Sequence, residues 1–597
     1  MNLPASGKSP PASAFYFRVN EASCLGWFHA AAVSGLGLSV VLCRPLGYES
    51  NCAYGAYTQL AEQLAQAGFD VLRFDYPGTG DSSGDDSQPN RVQSWIDSIV
   101  CATEVLSKLS GNEQVCLFGL RLGATLAAHA ARRLGGVAQI IMWAPCASGR
   151  AFARELRAAA LNHEGGNHGK GEPGSGDVES LGFLYTAQTM ADLDALPGLR
   201  VDEPSARHVL ILDRDDRPNS KQLYATLQSA GVVTTYAVAP GYAHMMSEPR
   251  ETLFDAETLN SLTAWLAKDL NALNPKTIRL GQHGPRQQFF DGLCETAVSF
   301  GVAPTLFGIL SESDPAALPS PCSETAILLL SVGGNYHIGP NRIYVHIARE
   351  LARVGCRALR FDLAGLGDSR SDSGFQWPHL YSKDSTLEVK SAIDFLSSQG
   401  CKKFYLLGIC SGSFVAFQAA LADPRVTGQI LLNSRLLEWQ EAKPNGPWQN
   451  SMTQAYKSVS FYRRQLFDWR IYKRILQGDV DVAGITNRWR MLLGARVKRV
   501  LQSVYPHDAS DAGPLQKVKF LSRRGTDTLM IVNSDDDGRD YLEFHFGAGG
   551  KYLKNDARFQ MIFVEDSDHT FSDKNGQTSV ISTVKAHLGV SDSMGLG

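Results

Sequence analysis

The chain repeats itself. Residues 72–82 read LRFDYPGTGDS and residues 359–369 read LRFDLAGLGDS. A second pair, FGLRLG at 118–123 and LGICSG at 407–412, follows at nearly the same offset. Two motifs repeated in one order at one spacing mean a duplicated domain. A length of 597 residues fits two such units, because single cores stop growing near roughly 250–300 residues.

Each copy alternates strands with helices. In the first half LSVVLCRP (38–45), FDVLRFD (69–75), QVCLFG (114–119) and AQIIMWA (138–144) read as buried strands, with helices over 57–68, 92–109 and 124–133 between and after them. In the second half AILLLSV (326–332), CRALRFD (356–362), KFYLLG (403–408) and GQILLNS (428–434) repeat the pattern, with helices over 343–355, 387–400 and 415–421. Apolar strands alternating with helices predict the α/β class. Each half should be a mostly parallel, doubly wound sheet covered on both faces. The expected division is a disordered tail over 1–14, one domain over 15–274 and a second over 275–597, joined near Asn274–Pro275. One segment per half interrupts the alternation. In the first it runs over about 147–206 and contains the Gly-rich, mobile-looking NHEGGNHGKGEPGSGD. In the second it runs over about 435–527 and contains SFYRRQLFDWRIYKRIL, expected to form lid helices over a pocket.

A strand that turns sharply into a helix at a reactive side chain needs small residues two before and two after it. Gly408-Ile409-Cys410-Ser411-Gly412 meets that need between strand KFYLLG and helix VAFQAAL. In this register the nucleophile is Cys410, because Ile409 would crowd an elbow centred on Ser411. A cysteine attacks as thiolate, and a helix N-terminus and an adjacent histidine both favour that form. In such folds the partners follow in the order nucleophile, acid, histidine. Asp535-Asp536-Asp537 follows strand TLMIVNS (528–534), with Asp537 favoured as the acid and Asp536 the alternative. His569 follows strand QMIFVED (560–566), where the base belongs. The oxyanion hole should use the N–H of Ser411 and the loop Val332-Gly333-Gly334-Asn335, with Gly333 and Gly334 as donors. Asp362, Gly365, Gly367, Asp368 and Ser369 read as a tight structural loop at the sheet edge.

The first elbow keeps its glycines but not its chemistry: it reads Gly119-Leu120-Arg121-Leu122-Gly123. A guanidinium cannot attack a carbonyl. Asp216 and His244 nevertheless occupy the acid and base positions. Either Arg121, with Asp216 and His244, binds an anionic part of a substrate, or the domain is a relic that only packs. Cys43, Cys116 and Cys146 read as core thiols. No spacing suggests a metal, and no motif calls for a cofactor.

The formal net charge of −3 argues against nucleic-acid binding. The N-terminus has no apolar signal region, and no run of about 18 apolar residues spans a membrane. Eleven scattered cysteines without CxxC spacing suit a reducing, cytoplasmic setting.

Through RIYVHIARELARVGCRALRFDLAGLGDS, LGICSGS and DPRVTGQILLNS the second half resembles the α/β-hydrolase family described as exosortase A system-associated hydrolase 1. There too the elbow carries cysteine, and FYRRQLFDWRIYKRILQGDVD resembles that family's lid. Through CRPLGYES, LRFDYPGTGDS and GLRLGATLAAHAA the first half resembles the companion hydrolase 2 group, in which the elbow also carries arginine. The resemblance implies two tandem α/β-hydrolase domains and acyl chemistry, without a substrate. The expectation is a cysteine-dependent acyltransferase or thioesterase that loads an acyl group on Cys410. The donor would be a thioester of a carrier protein or coenzyme A, or an ester. The rivals are a non-catalytic module that binds an acyl or anionic ligand through Arg121, and a hydrolase of lactone or carbon–carbon bonds.

Overall fold

The computed structural model describes residues 11–33, 35–162, 176–199, 206–249, 254–268, 270, 284–289, 292–302, 304–314, 324–369, 371, 380–438 and 513–590. They form two sheets. The first has β1 (Ser13–Val19), β2 (Ala22–His29), β3 (Leu38–Cys43), β4 (Asp70–Phe74), β5 (Gln114–Leu120), β6 (Val137–Trp143), β7 (Ala206–Arg214) and β8 (Val233–Ala239), in the order β1-β2-β4-β3-β5-β6-β7-β8. The second has β9 (Arg286–Gln288), β10 (Leu293–Phe300), β11 (Leu306–Ser313), β12 (Thr325–Leu330), β13 (Arg357–Phe361), β14 (Lys403–Ile409), β15 (Val426–Leu432), β16 (Asp527–Asn533) and β17 (Phe559–Val564), in the order β9-β10-β11-β13-β12-β14-β15-β16-β17. From β4 and β13 onward every pairing is parallel, as the alternation predicts.

The strands read as uninterrupted apolar runs because both faces are covered. Val41, Leu72, Leu117 and Ile140 pack into one core layer; Val40, Leu42, Cys116 and Phe118 pack into the other. In both sheets the strand order reverses at the strand before the elbow. The crevice at the carboxyl ends of β12 and β14 is therefore where a ligand site belongs.

Two antiparallel hairpins were not expected from the periodicity. β1 and β2 turn at Asn20, whose φ is 54°; β10 and β11 turn through Gly301. β1 begins at Ser13, inside the stretch expected as a disordered tail. The expected joint at 274–275 lies outside the described residues. So does 439–512, most of the expected lid. Of its remainder, the helix Pro514–Arg524 buries Val518 and Leu521 in the second core, so it covers the sheet rather than a pocket. In the first half the interruption contains the helices Gly149–Asn162 and Ala187–Ala195 and a small hairpin, Val178–Ser180 with Phe183–Tyr185; its Gly-rich stretch 163–175 lies outside the described residues.

The hairpins carry the seam between the halves. Tyr16, Leu25 and Trp27 from β1 and β2 bury against Ala297, Phe307 and Ile309 from β10 and β11. Beside this apolar strip, the two DxxGxGDS loops meet across the seam and not at a free sheet edge. Within each loop the first aspartate accepts an amide of its own turn: Asp81 N–H reaches Asp75 at 3.0 Å and Asp368 N–H reaches Asp362 at 3.1 Å. Gly80 and Gly367 are obligatory there. Each has positive φ, and a Cβ would fall 2.0 and 2.1 Å from the Asp75 and Asp362 carboxylates.

The second aspartates cross over. Arg360 on β13 donates to Asp81 at 3.1 Å, and Arg73 on the equivalent strand β4 donates to Asp368. His337 lies fully buried between the halves, 2.7 Å from Asp362 through Nδ1 and 2.7 Å from Asp81 through Nε2. Burial alone would push its ionisation down. The two carboxylates override that and hold it well above the ordinary range, so it is an imidazolium donating both N–H groups.

Candidate active site

The strand–turn–helix at Cys410 has the geometry the glycine spacing demands. Cys410 has φ 54° and ψ −113°, and the helix Ser411–Ala422 starts at the next residue. A Cβ on Gly408 would lie 2.1 Å from the Gly412 carbonyl carbon, and one on Gly412 would lie 2.6 Å from the Leu330 oxygen. The turn is pinned from below: Cys410 N–H donates to Leu432 O at 3.0 Å, and the Ser413 hydroxyl reaches Gly408 O and Leu432 O. Arg121 adopts the same conformation in the first half, with φ 54° and ψ −126°.

His569 arrives on the loop after β17. Its Nδ1 bonds Asp536, whose side chain is 1% exposed and whose Oδ1 also accepts Gly538 N–H at 2.7 Å. The favoured acid, Asp537, is instead 72% exposed, at the start of the helix Gly538–Phe546. Asp536 is thus the member of the carboxylate run that reaches the imidazole. Two asparagines that the sequence reading passed over hold the loops together. Asn433, just past β15, donates to His569 O at 2.7 Å and accepts Asn533 N–H at 2.7 Å; Asn533, the last residue of β16, donates to Ser567 O. Both are buried polar residues at the carboxyl ends of apolar strands, and that position was the available signal.

Nε2 of His569 is buried and makes no hydrogen bond of good geometry among the described residues, yet the ring and the Cys410 thiol act on one another. Such contacts are often loose before substrate binds. Burial pushes the Cys410 thiol up, but the His569 interaction, the Arg435 charge and the Ser411 N–H outweigh it, so the thiol ionises below its usual 9.0. Burial pushes His569 down, but Asp536 and Cys410 hold it up at about 9. Both shifts favour a thiolate–imidazolium pair over the neutral pair. Arg435, also unforeseen, stands 3.8 Å from Asp536 and 3.9 Å from Asp537.

Of the expected oxyanion donors, the Ser411 N–H opens the helix after Cys410 and helps to lower its thiol. The Gly333 N–H donates to the Ser411 hydroxyl at 2.8 Å. Gly334 follows in the turn closed by Asn335 N–H to Val332 O.

The first-half site is plugged. Arg121 donates to Glu49 at 2.8 Å and to Glu155, so two carboxylates of the chain already occupy the guanidinium expected to bind an anion. Asp216 is paired with Arg214, at 2.8 Å and 2.5 Å, and His244 is exposed. Arg214, the partner of Asp216, lies over the Tyr242 ring, two residues before His244, with centroid distance 4.3 Å. Cys43, Cys116 and Cys146 are buried, and the described cysteines are all free thiols. Among the described residues no cluster could hold a metal, and no helix is long and apolar enough to cross a membrane.

With two elbows and two sheets of this order in hand, the comparisons with known proteins converge. A model described as serine aminopeptidase, S33, matches residues 49–170, and one described as alpha/beta hydrolase family matches residues 327–577. Both halves have the α/β-hydrolase fold. Protein ABHD12B from Homo sapiens is 35% identical over 108 residues, 18% of this chain; the chain spans 28% of that relative's length. An alpha-beta serine hydrolase homologue from Coxiella burnetii is similar over 44% of this chain and all of its own, at 14% identity and a TM-score of 0.28. A serine hydrolase without lid from Xanthomonas campestris is similar over 45% of this chain and all of its own, at 16% identity and a TM-score of 0.30. The tandem α/β-hydrolase therefore joins one half with a reactive-looking elbow to one whose elbow is closed by ion pairs.

Proposed function

We propose that this protein is a cysteine-dependent acyl-transfer enzyme of the α/β-hydrolase superfamily, working through Cys410, His569 and Asp536. The observation that carries the reading is the Cys410–His569–Asp536 line, with the thiol lowered and the imidazole held at about 9. The Cys410 thiolate attacks the carbonyl carbon of an ester or thioester. The Ser411 N–H faces the oxyanion that forms. Collapse expels the alkoxide or thiolate leaving group, which takes the proton from His569 Nε2, and leaves an acyl thioester on Cys410. An amine, alcohol or water then gives a proton to His569 and attacks that thioester, and collapse breaks the bond from sulfur to the acyl carbon, releasing the acylated acceptor or acid and restoring the Cys410 thiolate beside the His569 imidazolium. Asp536 keeps the ring's proton on Nδ1 and stabilises the charged form. A thioester intermediate retains much acyl-transfer potential, which favours transfer to a bound acceptor. Carrier-protein and coenzyme A thioesters are the donors of matching chemistry.

The test is intact-mass analysis after brief exposure to a panel of acyl thioesters and activated esters, comparing wild type with Cys410→Ala. The expected result is one acyl adduct that disappears in the variant. An adduct that persists in Cys410→Ala overturns the reading. No adduct from any donor, together with slow iodoacetamide labelling, favours a non-catalytic binding role.

A further inference from the structure

The loop 332–342 follows β12 and has two ends with different hosts. At its start, Gly333 N–H rests on the Ser411 hydroxyl beside the nucleophile, at 2.8 Å. From Tyr336 onward the loop lies on the other half of the chain. The Tyr336 ring stacks on Tyr54 with centroids 3.7 Å apart, and the Arg44 guanidinium lies 5.8 Å above it. His337 Nε2 donates to Asp81 at 2.7 Å. Arg342 gives its guanidinium to four first-half carbonyls: Gly80 at 2.6 Å, Gly78 at 3.1 Å, Gly84 at 2.8 Å and Ser82 at 2.6 Å. Asn341 and Arg342 have φ of 48° and 67°, conformations that L-residues adopt only when their surroundings compel them. What compels them here includes the first half.

We propose that the first domain, which has no nucleophile, is the platform that positions the oxyanion loop of the second, and that Asp81 is a positioning residue acting through His337. The inference rests on the acyl-enzyme reading for its kinetic consequence, but not for its structural one. Its logic is geometric. A backbone donor stabilises a developing oxyanion only if held in place before the charge appears, and with the Gly333 N–H engaged by the Ser411 hydroxyl at 2.8 Å the donor this loop would offer is the Gly334 N–H. Within its own half the 332–342 loop is attached to the elbow, to Asp362 twice at 2.7 Å through His337, and to Gln577 at 3.4 Å; its other side-chain attachments named above cross the seam. The plugged elbow at Arg121 fits the same division of labour, since a platform needs a closed, rigid fold and no open pocket.

The experiment uses the full chain with Asp81→Asn. Leu25→Ala is the control: it weakens the apolar strip of the same seam at a residue outside the Tyr54–Tyr336 stack and the His337 bridge. Four quantities are read: kcat, KM, the iodoacetamide alkylation rate of Cys410, and amide hydrogen exchange over 332–342. In Asp81→Asn, kcat should fall roughly 10- to 100-fold, as for a displaced catalytic donor, with KM and the alkylation rate within about twofold. Exchange at 333–335 should speed up about tenfold or more, because closed segments become locally open. Leu25→Ala should change none of the four. Unchanged kcat and exchange in a folded Asp81→Asn overturn the proposal. So does a parallel collapse of alkylation, which would mark general damage. If wild type turns over no donor, the acyl reading fails by itself, and exchange alone then decides whether Asp81 orders the loop. Should Asp81→Asn not fold, Tyr54→Leu removes the ring under Tyr336 and is judged on the same four readings.

Discussion

Replacing Asp536 with asparagine removes one charge and leaves the shape, so it isolates what the carboxylate does for the imidazole. In the folded protein His569 is raised from 6.5 to about 9. At about 1.36 kcal/mol per unit, that is on the order of 3 kcal/mol of preference for the charged ring. Asp536 and Cys410 hold it up together against burial, and a share for Asp536 on the order of 2 kcal/mol is roughly 20-fold in the population of the thiolate–imidazolium pair. The sign follows: without the carboxylate the imidazolium loses its proton at lower pH, and the thiol, deprived of a cationic neighbour, loses its own at higher pH. Pseudo-first-order alkylation of Cys410 by iodoacetamide, followed by peptide mass spectrometry from pH 5 to 10, reads this directly. Wild type should react well below pH 8, and Asp536→Asn should be about 20-fold slower near pH 6.5, its profile shifted towards that of an ordinary thiol. Asp537→Asn, at a 72% exposed side chain, should stay within about twofold of wild type. Superimposed profiles for wild type and Asp536→Asn would refute the reasoning, as would a larger effect at Asp537.

The seam yields two more. Arg360 is fully buried and within 3.1 Å of Asp81 and 2.9 Å of Glu295, so Arg360→Met removes the cation they share and leaves a buried network, with Asp81 on His337 and Glu295 on Arg349, one positive charge short. Urea unfolding should show a loss of about 3–5 kcal/mol, and a loss under about 1 kcal/mol would mean the network is not desolvated as described. His337 has its ionisation raised on folding, so its stabilisation is fully present below about pH 6.5 and is lost as pH climbs towards the folded value. Unfolding free energies at pH 6.5, 7.5 and 8.5 should therefore fall more steeply in wild type than in His337→Gln, by up to about 1.36 kcal/mol per unit, with the His569 contribution common to both; equal slopes in the two proteins would contradict a buried imidazolium.

The sheets were legible because burial on both faces leaves a strand no polar positions to confuse the period, as in AILLLSV. The elbows were legible because the turn excludes side chains at Gly408 and Gly412 whatever else the protein does. The hairpins β1–β2 and β10–β11 were missed although Asn20 and Gly301 mark their turns, because short mixed runs such as ASCLGWFH have no clean alternation. The choice between Asp536 and Asp537 turned on where one residue falls as β16 rolls into the next helix, which a run of three aspartates cannot specify. The crossing at Asp81 was out of reach for a different reason: its partners His337 and Arg360 lie 256 and 279 residues away, and a buried charge is indistinguishable from a surface one until its partner is placed.

The reciprocal crossing also sets a clock during synthesis. Arg73 must await Asp368, 295 residues later, and Asp81 must await Arg360, 279 residues later. At about 5–20 residues per second, the first half leaves the ribosome roughly 15–60 s before its charges find their counterparts. For that interval its apolar strip, with Trp27 and Leu25 at the centre, has nothing to lie against. The nascent first domain is therefore the species that a chaperone would meet.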